Sequence, residues 1–336
     1  MADFALGLET NLLRSTDREF VFPTLHTHEK KMGLWEQLPS VNNTGAGSLA
    51  AYLMFLSSPR ARRFARWFQN FLDKATTTND VSEGRGIFSP IIQSGLGLSK
   101  APGHNRAQMI GEGAFSTFSS ADAYGIMVSG FLHYLCHYPY VYERLGEEMR
   151  SIYLPGDEII WDAKLESSVY LRAVINEVMR LLPPACGVHW RECERPGVTI
   201  GPDELPVSVG SDVGFSIFSL FREGGIFRDP VRFWPERWIP GTLPEEEYCL
   251  AKKMFVPFLI GPRNCAGGHV AIMIASIAYA YILVNYDFRL GPTQYKPPHI
   301  WSNAHNEPGA ELELRFESHY SIAGWKCGPF VEFRAR

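Results

Sequence analysis

Apolar side chains recur at helical spacing through much of the first 182 residues, then in short strand-like bursts, then in one unbroken run near residue 270. Residues 1–75 read as amphipathic helices, with loops around Asn42-Asn43-Thr44-Gly45 and Thr76-Thr77-Thr78-Asn79. Residues 80–104, rich in Gly, Ser and Pro, read as loop with short helical pieces. No Pro interrupts the chain from Gly103 to His137, and the pattern predicts one long helix, Ala107 to Tyr138. Its glycines at 111, 113, 125 and 130 each cost about 1 kcal/mol relative to Ala, so the helix is expected to be buried or closely approached. Pro139 opens a further helix, and Tyr170 to Leu182 forms another that Pro183-Pro184 stops. Then the period shortens. Gly197–Gly201 and Leu205–Gly210 read as two strands joined by a turn. Residues 224–264 read as irregular, and Glu311–Phe316 and Phe330–Phe333 as strands. No internal repeat is visible.

Val270 to Val284 is apolar and uncharged, but its 15 residues fall short of the ~20 that span a bilayer, so a core helix is expected and no membrane span. The N-terminus lacks the basic start and sustained apolar core of a signal peptide. Asn42-Asn43-Thr44 is then a chance match to a glycosylation acceptor.

Composition narrows the function classes. A 46% hydrophobic, 20% charged chain is not of the disordered type. Net charge is −4 and no basic run stands out, so nucleic acid is not an expected partner. Six cysteines, at 136, 186, 193, 249, 265 and 327, contain no Cys-x-x-Cys pair and are too sparse for a disulfide scaffold.

One cysteine stands apart. In Phe258–Gly267 (FLIGPRNCAG), Cys265 lies between glycines, after an Arg and before the apolar run. A helix N-terminus and a nearby guanidinium both lower a thiol's pKa, which suits a metal-binding thiolate. Gly261 permits a tight turn, and Gly267 lets the next helix pack closely. A buried, inert thiol is the other reading of a lone cysteine.

The whole pattern decides between them. Phe258, Gly261, Arg263, Cys265 and Gly267 match Phe-x-x-Gly-x-Arg-x-Cys-x-Gly, and here the chain resembles the cytochrome P450 family of haem-thiolate monooxygenases. The resemblance implies that Cys265 is the axial ligand of haem iron, that Arg263 pairs with a haem propionate, and that Phe258 packs beside the thiolate and tunes it. Further motifs follow in family order. Glu177-Val178-Met179-Arg180 matches Glu-x-x-Arg, and Phe233–Trp238 (FWPERW) is close to Phe-x-Pro-Glu-Arg-Phe/Trp. The resemblance joins Glu177, Arg180 and Arg237 in a buried triad. Arg191, in His189-Trp190-Arg191, stands where a family Arg reaches a propionate, or is a surface Arg on a strand edge. His133 onward resembles the segment that closes the oxygen-binding helix, which registers Ser119–Tyr124 on Ala/Gly-Gly-x-Asp/Glu-Thr-Thr. Asp122 matches the acid, and Ala123 stands where the usual Thr hydroxyl would be. Ser119, one turn earlier on the same face, can substitute, or both are ordinary polar helix positions. Phe115 and Phe118 face substrate or the core.

The expected fold is therefore mainly α with a small β part, cytochrome P450-like and lacking the family's N-terminal portion. Residues 1–336 would form a single domain, with middle helices in 1–104 and the oxygen-binding helix, Glu-x-x-Arg helix, cysteine loop and C-terminal β part in 105–336. The implied activity is insertion of one oxygen atom from dioxygen into an apolar organic substrate, with haem as cofactor and NADPH-derived electrons from a separate P450 reductase. The style of the motifs resembles fungal tailoring enzymes of secondary metabolism. Two alternatives remain: a non-catalytic haem-binding remnant, and a haem-thiolate isomerase or dehydratase, towards which Ala123 points. The implied location is the cytoplasmic side of the endoplasmic reticulum with an upstream anchor, or the cytoplasm for the chain alone.

Overall fold

The computed structural model describes residues 20, 21, 24, 58–77, 106–291, 318–320, 324–326 and 330–336. The helices expected before residue 58, the loops at 42–45 and 80–104 and the strand at 311–316 lie outside these residues. The chain divides into two compact units, residues 1–123 and 124–336.

Helix α1 (Pro59–Thr77) belongs to the first unit. Its arginines 60, 62, 63 and 66 are exposed, while Phe64 and Phe68, four residues apart, are buried and stack at 6.1 Å. It takes in Thr76 and Thr77, where a loop was expected, because low-propensity residues are tolerated in a fraying last turn.

Helix α2 (Arg106–His137) is the long helix the sequence predicts, within a residue at each end. In the second unit α3 (Pro139–Ile152) starts at Pro139, whose missing N–H costs nothing in a first turn. Helix α4 (Ala163–Glu166) is capped by Asp162, whose carboxylate accepts from the Leu165 N–H. Helix α5 (Val169–Leu181) has no side-chain cap of its own at Ser168. Glu148 of α3 accepts instead from the N–H groups of Tyr170 and Leu171 at 3.0 and 2.9 Å, so a neighbouring helix satisfies the orphan donors.

Next come β1 (Val188–Glu192), the hairpin β2 (Val198–Ile200) and β3 (Leu205–Val207), then β4 (Asp212–Ser216), which runs straight into α6 (Ile217–Leu220). Strands β1 and β4 pair antiparallel around the hairpin. A 3-10 turn, Pro235–Trp238, follows. Residues 224–264, read as irregular, contain α7 (Glu245–Met254). Three glutamates in its first turn and two lysines in its last complement the helix dipole, and that charge order was the signal missed amid the surrounding Pro and Gly. Helix α8 (Gly268–Asn285) leads into β5 (Tyr286–Leu290); β6 (Ser318–Tyr320) pairs with β7 (Gly324–Lys326), and β8 (Val331–Ala335) returns to pair with β5.

The main core of the second unit lies among α2, α3, α5, α8 and β5. Phe131 of α2 stacks on Tyr279 of α8 at 3.8 Å, and the Tyr279 hydroxyl donates to the Met127 carbonyl at 2.7 Å. By length and composition α8 is the one helix among the described residues apolar enough to cross a membrane; here Ile272, Tyr279, Ala280, Leu283 and Val284 are buried in that core.

Gly130 explains part of the glycine content of α2. A Cβ there would lie 2.6 Å from Leu182 Cδ1 and 3.2 Å from Val178 Cγ1, so a side chain at 130 requires Leu182 to turn aside and Val178 to give by a few tenths of an ångström. Gly130→Ala is expected to lower Tm, since overpacking costs about 1–3 kcal/mol and Ala regains only about 1 in propensity. A raised Tm in calorimetry would show that the two helices part easily.

Candidate functional site

The cysteine loop is built from its own backbone. Leaving α7, the chain turns at Leu259, with φ 60°, and at Gly261, with φ 79°. Pro262 continues a short 3-10 turn, Gly261–Arg263, which the Asn264 N–H closes on Gly261 O at 3.0 Å. The Cys265 N–H then donates to Phe258 O at 2.8 Å, tying the two ends of the loop together. Three residues on, α8 begins. Cys265 is thus held just ahead of a helix N-terminus, and its side chain is exposed. Phe258 lies flat against the start of α8: a Cβ on Gly268 would meet its ring at 3.0 Å, whereas a Cβ on Gly267 would sit at an ordinary 3.9 Å from Cys265 Sγ. The tight packing expected at Gly267 therefore falls one residue later.

Arg263 and Arg191 are both exposed. Arg191 Nη1 donates to the Trp190 carbonyl at 2.7 Å. Among the described residues neither forms an ion pair.

Glu177, Arg180 and Arg237 are brought together, each with no exposed surface. Arg180 clasps the carboxylate with two N–H groups, at 3.0 and 2.9 Å, and Arg237 Nε donates to Glu177 Oε1 at 3.1 Å. Two further donors complete the shell: the Trp234 backbone N–H and the Trp238 indole N–H, each at 2.9 Å. Burial alone pushes the Glu177 carboxyl upward; the two guanidiniums and the hydrogen bonds outweigh it and hold it below its ordinary value of 4.5. One carboxylate against two guanidiniums leaves an excess positive charge. Main-chain carbonyls absorb it: Phe221, Pro230 and Arg232 accept from Arg180, and Arg228 and Asp229 from Arg237. Residues 221–238 are pinned around the network as a result.

Trp238 had no role in the sequence reading, although the family pattern carries an aromatic at its place. It links the network to the cysteine loop: its ring packs on Phe255 at 4.5 Å, and Phe255 and Leu259 join Phe221 and Trp238 in a second apolar cluster.

On α2, Asp122 is half-buried and Ser119 lies in the helix, its side chain outside the described residues, as are those of Phe115 and Phe118. Tyr124 is quoted in the motif without a function. Burial, and then the charge of Cys265, push its phenol up to about 12, so it stays protonated at ordinary pH.

The described fold is mainly helical, with a loop-held cysteine ahead of a core helix, and comparison with known proteins identifies the family. Residues 118–312 match the family model described as Cytochrome P450. The chain is 28% identical to the cytochrome P450 monooxygenase apf8 of Gibberella fujikuroi, the alignment covering 100% of this chain and 88% of that protein. To the cytochrome P450 monooxygenase atnE of Emericella nidulans it is 33% identical over 68% of this chain and 42% of the relative. To the cytochrome P450 monooxygenase lcsN of Purpureocillium lilacinum it is 25% identical over 100% of this chain and 96% of the relative. The chain belongs to the cytochrome P450 family, and its class is that of the monooxygenase oxidoreductases.

Family membership implies haem, and the residues present fit it. A soft thiol stands exposed at a helix N-terminus, the donor type that haem iron takes in this family. Two exposed guanidiniums, without acidic partners among the described residues, are available to propionate carboxylates, and Phe258 offers an apolar wall beside the loop.

Proposed function

We propose that the chain is a haem-thiolate monooxygenase that inserts one oxygen atom of dioxygen into an apolar organic substrate, reducing the other to water with electrons from NADPH. The observation that carries the reading is Cys265: exposed, backbone-locked and at the N-terminus of α8, within the family motif. Bound haem would supply the oxidising chemistry. The chain's own groups do the rest. Cys265 would donate thiolate electron density, Arg263 and Arg191 would hold the propionates, and Phe258 would shield the sulfur from water. The family motif assigns proton transfer to Asp122, with Ser119 or a water. A flavoprotein P450 reductase would deliver the electrons. The fungal relatives accord with a tailoring role in secondary metabolism, and the location that goes with this reading is the cytoplasmic side of the endoplasmic reticulum if an anchor precedes this chain.

The test is direct. Haem-loaded protein, reduced under carbon monoxide, is expected to show the red-shifted Soret band of thiolate ligation. With reductase and NADPH it is expected to release a mono-oxygenated product. Haem binding without that band rejects the ligand assignment. A thiolate band with no NADPH-dependent product favours a second reading, an isomerase or dehydratase needing no dioxygen, for which Ala123 is the specific observation.

Coupling gives a further prediction. General acid–base help is worth ~10²–10⁴-fold in rate, so losing the alcohol at position 123 should leak electrons as hydrogen peroxide unless another group fills in. If Ser119 substitutes, Ser119→Ala raises peroxide per NADPH and Ala123→Thr changes little. If nothing substitutes, Ala123→Thr lowers the leak and Ser119→Ala is silent.

A further inference from the structure

Helix α1 of the first unit carries Arg60, Arg62, Arg63 and Arg66, all exposed. At about 100° of turn per residue they fall within an arc of roughly 160°. Phe64 and Phe68 lie outside that arc and form the buried side of the helix. Trp67 falls inside it, half-buried, its ring T-shaped to Phe20 at 6.4 Å. Two of the arginines are laid along the surface: Arg63 lies over the Phe20 ring at 4.3 Å, and Arg66 Nε donates to the Arg62 carbonyl at 3.4 Å. Local physics works against such a face. Arg60 and Arg63, Arg63 and Arg66, and Arg62 and Arg66 are like charges at the helical spacings where they repel. They also crowd the positive end of the helix dipole, and no acidic residue stands in the first turn. The face is no by-product of a basic composition either, since the chain's net charge is −4.

We infer that this face of α1 docks on an anionic lipid surface. The guanidinium fork matches phosphate and carboxylate oxygens, and the surface supplies the negative charge that the helix itself lacks. Trp67 selects lipid among polyanions, because an indole has an apolar body and a single N–H donor, the combination that settles at headgroup depth. The contact is peripheral: Phe64 and Phe68 are already buried within the chain, which leaves the charged side to meet the surface. This docking is independent of the haem-thiolate reading and adds a contact separate from any upstream anchor.

The full chain, sedimented with phosphatidylcholine vesicles, is expected to bind only when phosphatidylserine is included. Sodium chloride should release it, as the screening length falls from ~10 Å at 0.1 M to ~3 Å at 1 M. A basic side chain at such a surface is worth roughly fivefold in affinity, so Arg66→Gln should lose about that, and Arg60→Gln, Arg62→Gln and Arg66→Gln combined on the order of a hundredfold. Arg63 is left in place because it packs on Phe20. Circular dichroism should match the wild type, and the single Arg66→Gln variant serves if the triple one does not fold. Arg289→Gln with Arg334→Gln removes charge elsewhere, from guanidiniums already paired with Glu332 and Asp287, and should leave binding unchanged. Wild-type protein that ignores phosphatidylserine, a folded α1 variant that binds as well as wild type, or an equal loss from the Arg289 and Arg334 pair overturns the docking. Stronger release by phosphate than by sodium chloride of equal ionic strength would reveal a discrete anion pocket instead. Retention on duplex DNA without vesicle binding would make the face one for nucleic acid, and either result overturns the lipid assignment.

Discussion

Glu177→Ala is expected to yield no soluble folded protein. The substitution removes the one acceptor shared by Arg180, Arg237, the Trp234 N–H and the Trp238 indole, all in a region without solvent. Breaking a buried ion pair by deleting one partner typically costs about 3–5 kcal/mol, and here two guanidiniums are stranded at once. A domain has only about 5–15 kcal/mol in hand. The damage also has a route to the cysteine loop, because Trp238 packs on Phe255, which belongs to the cluster that supports Leu259. Soluble yield and circular dichroism check the expectation. Wild-type stability in the Ala variant would mean the network is replaceable.

Acid should reach the same point by titration. The Glu177 carboxyl is held below its ordinary value of 4.5 in the folded chain. A carboxyl with a lowered folded pKa binds its proton more readily in the unfolded state, so its contribution is complete above about 4.5 and fades as the pH falls below it. Denaturant midpoints measured across that range should drop with pH in the wild type. Glu177→Gln keeps the shape without the charge; if it folds, that part of the pH dependence should vanish. An identical pH slope in the Gln variant would assign acid sensitivity to other carboxylates.

Cys265→Ala is expected to do the opposite: little to stability, everything to the site. The side chain is exposed, and surface substitutions ordinarily change stability by no more than about 0.5 kcal/mol. The loop is locked by main-chain bonds from Asn264 and Cys265 that the substitution leaves intact. The thiolate-type Soret band of the carbonyl complex should nevertheless disappear, and oxygenase turnover with it. Cys186→Ala is the control: it removes a buried thiol and should lower Tm while keeping the band. A thiolate band surviving in Cys265→Ala would move the ligand to another cysteine.

The boundaries of α2, α3 and α5 were legible because each rests on local signals: an uninterrupted helical period, Pro139 at a first turn, and Pro183-Pro184 past an end. The β2–β3 hairpin was legible for the same reason, since only a short turn separates its strands. The cysteine motif was too, because a backbone loop of this kind needs particular residues at fixed spacing. Strands β4 and β5 were not, and β1 only as the strand edge offered for Arg191. Strand β1 finds β4 across an intervening hairpin, and β5 finds β8 across a long stretch of chain, so no local pattern marks them. Sequence placed Glu177, Arg180 and Arg237 in one network by resemblance; burial and the five carbonyls that absorb the excess charge belong to the tertiary structure alone. The same holds for Trp238. It sat inside a motif already read, but an indole N–H matters only where a buried carboxylate waits. Motifs report which residues a local backbone needs, whereas partners far apart in the chain are chosen by how the helices pack.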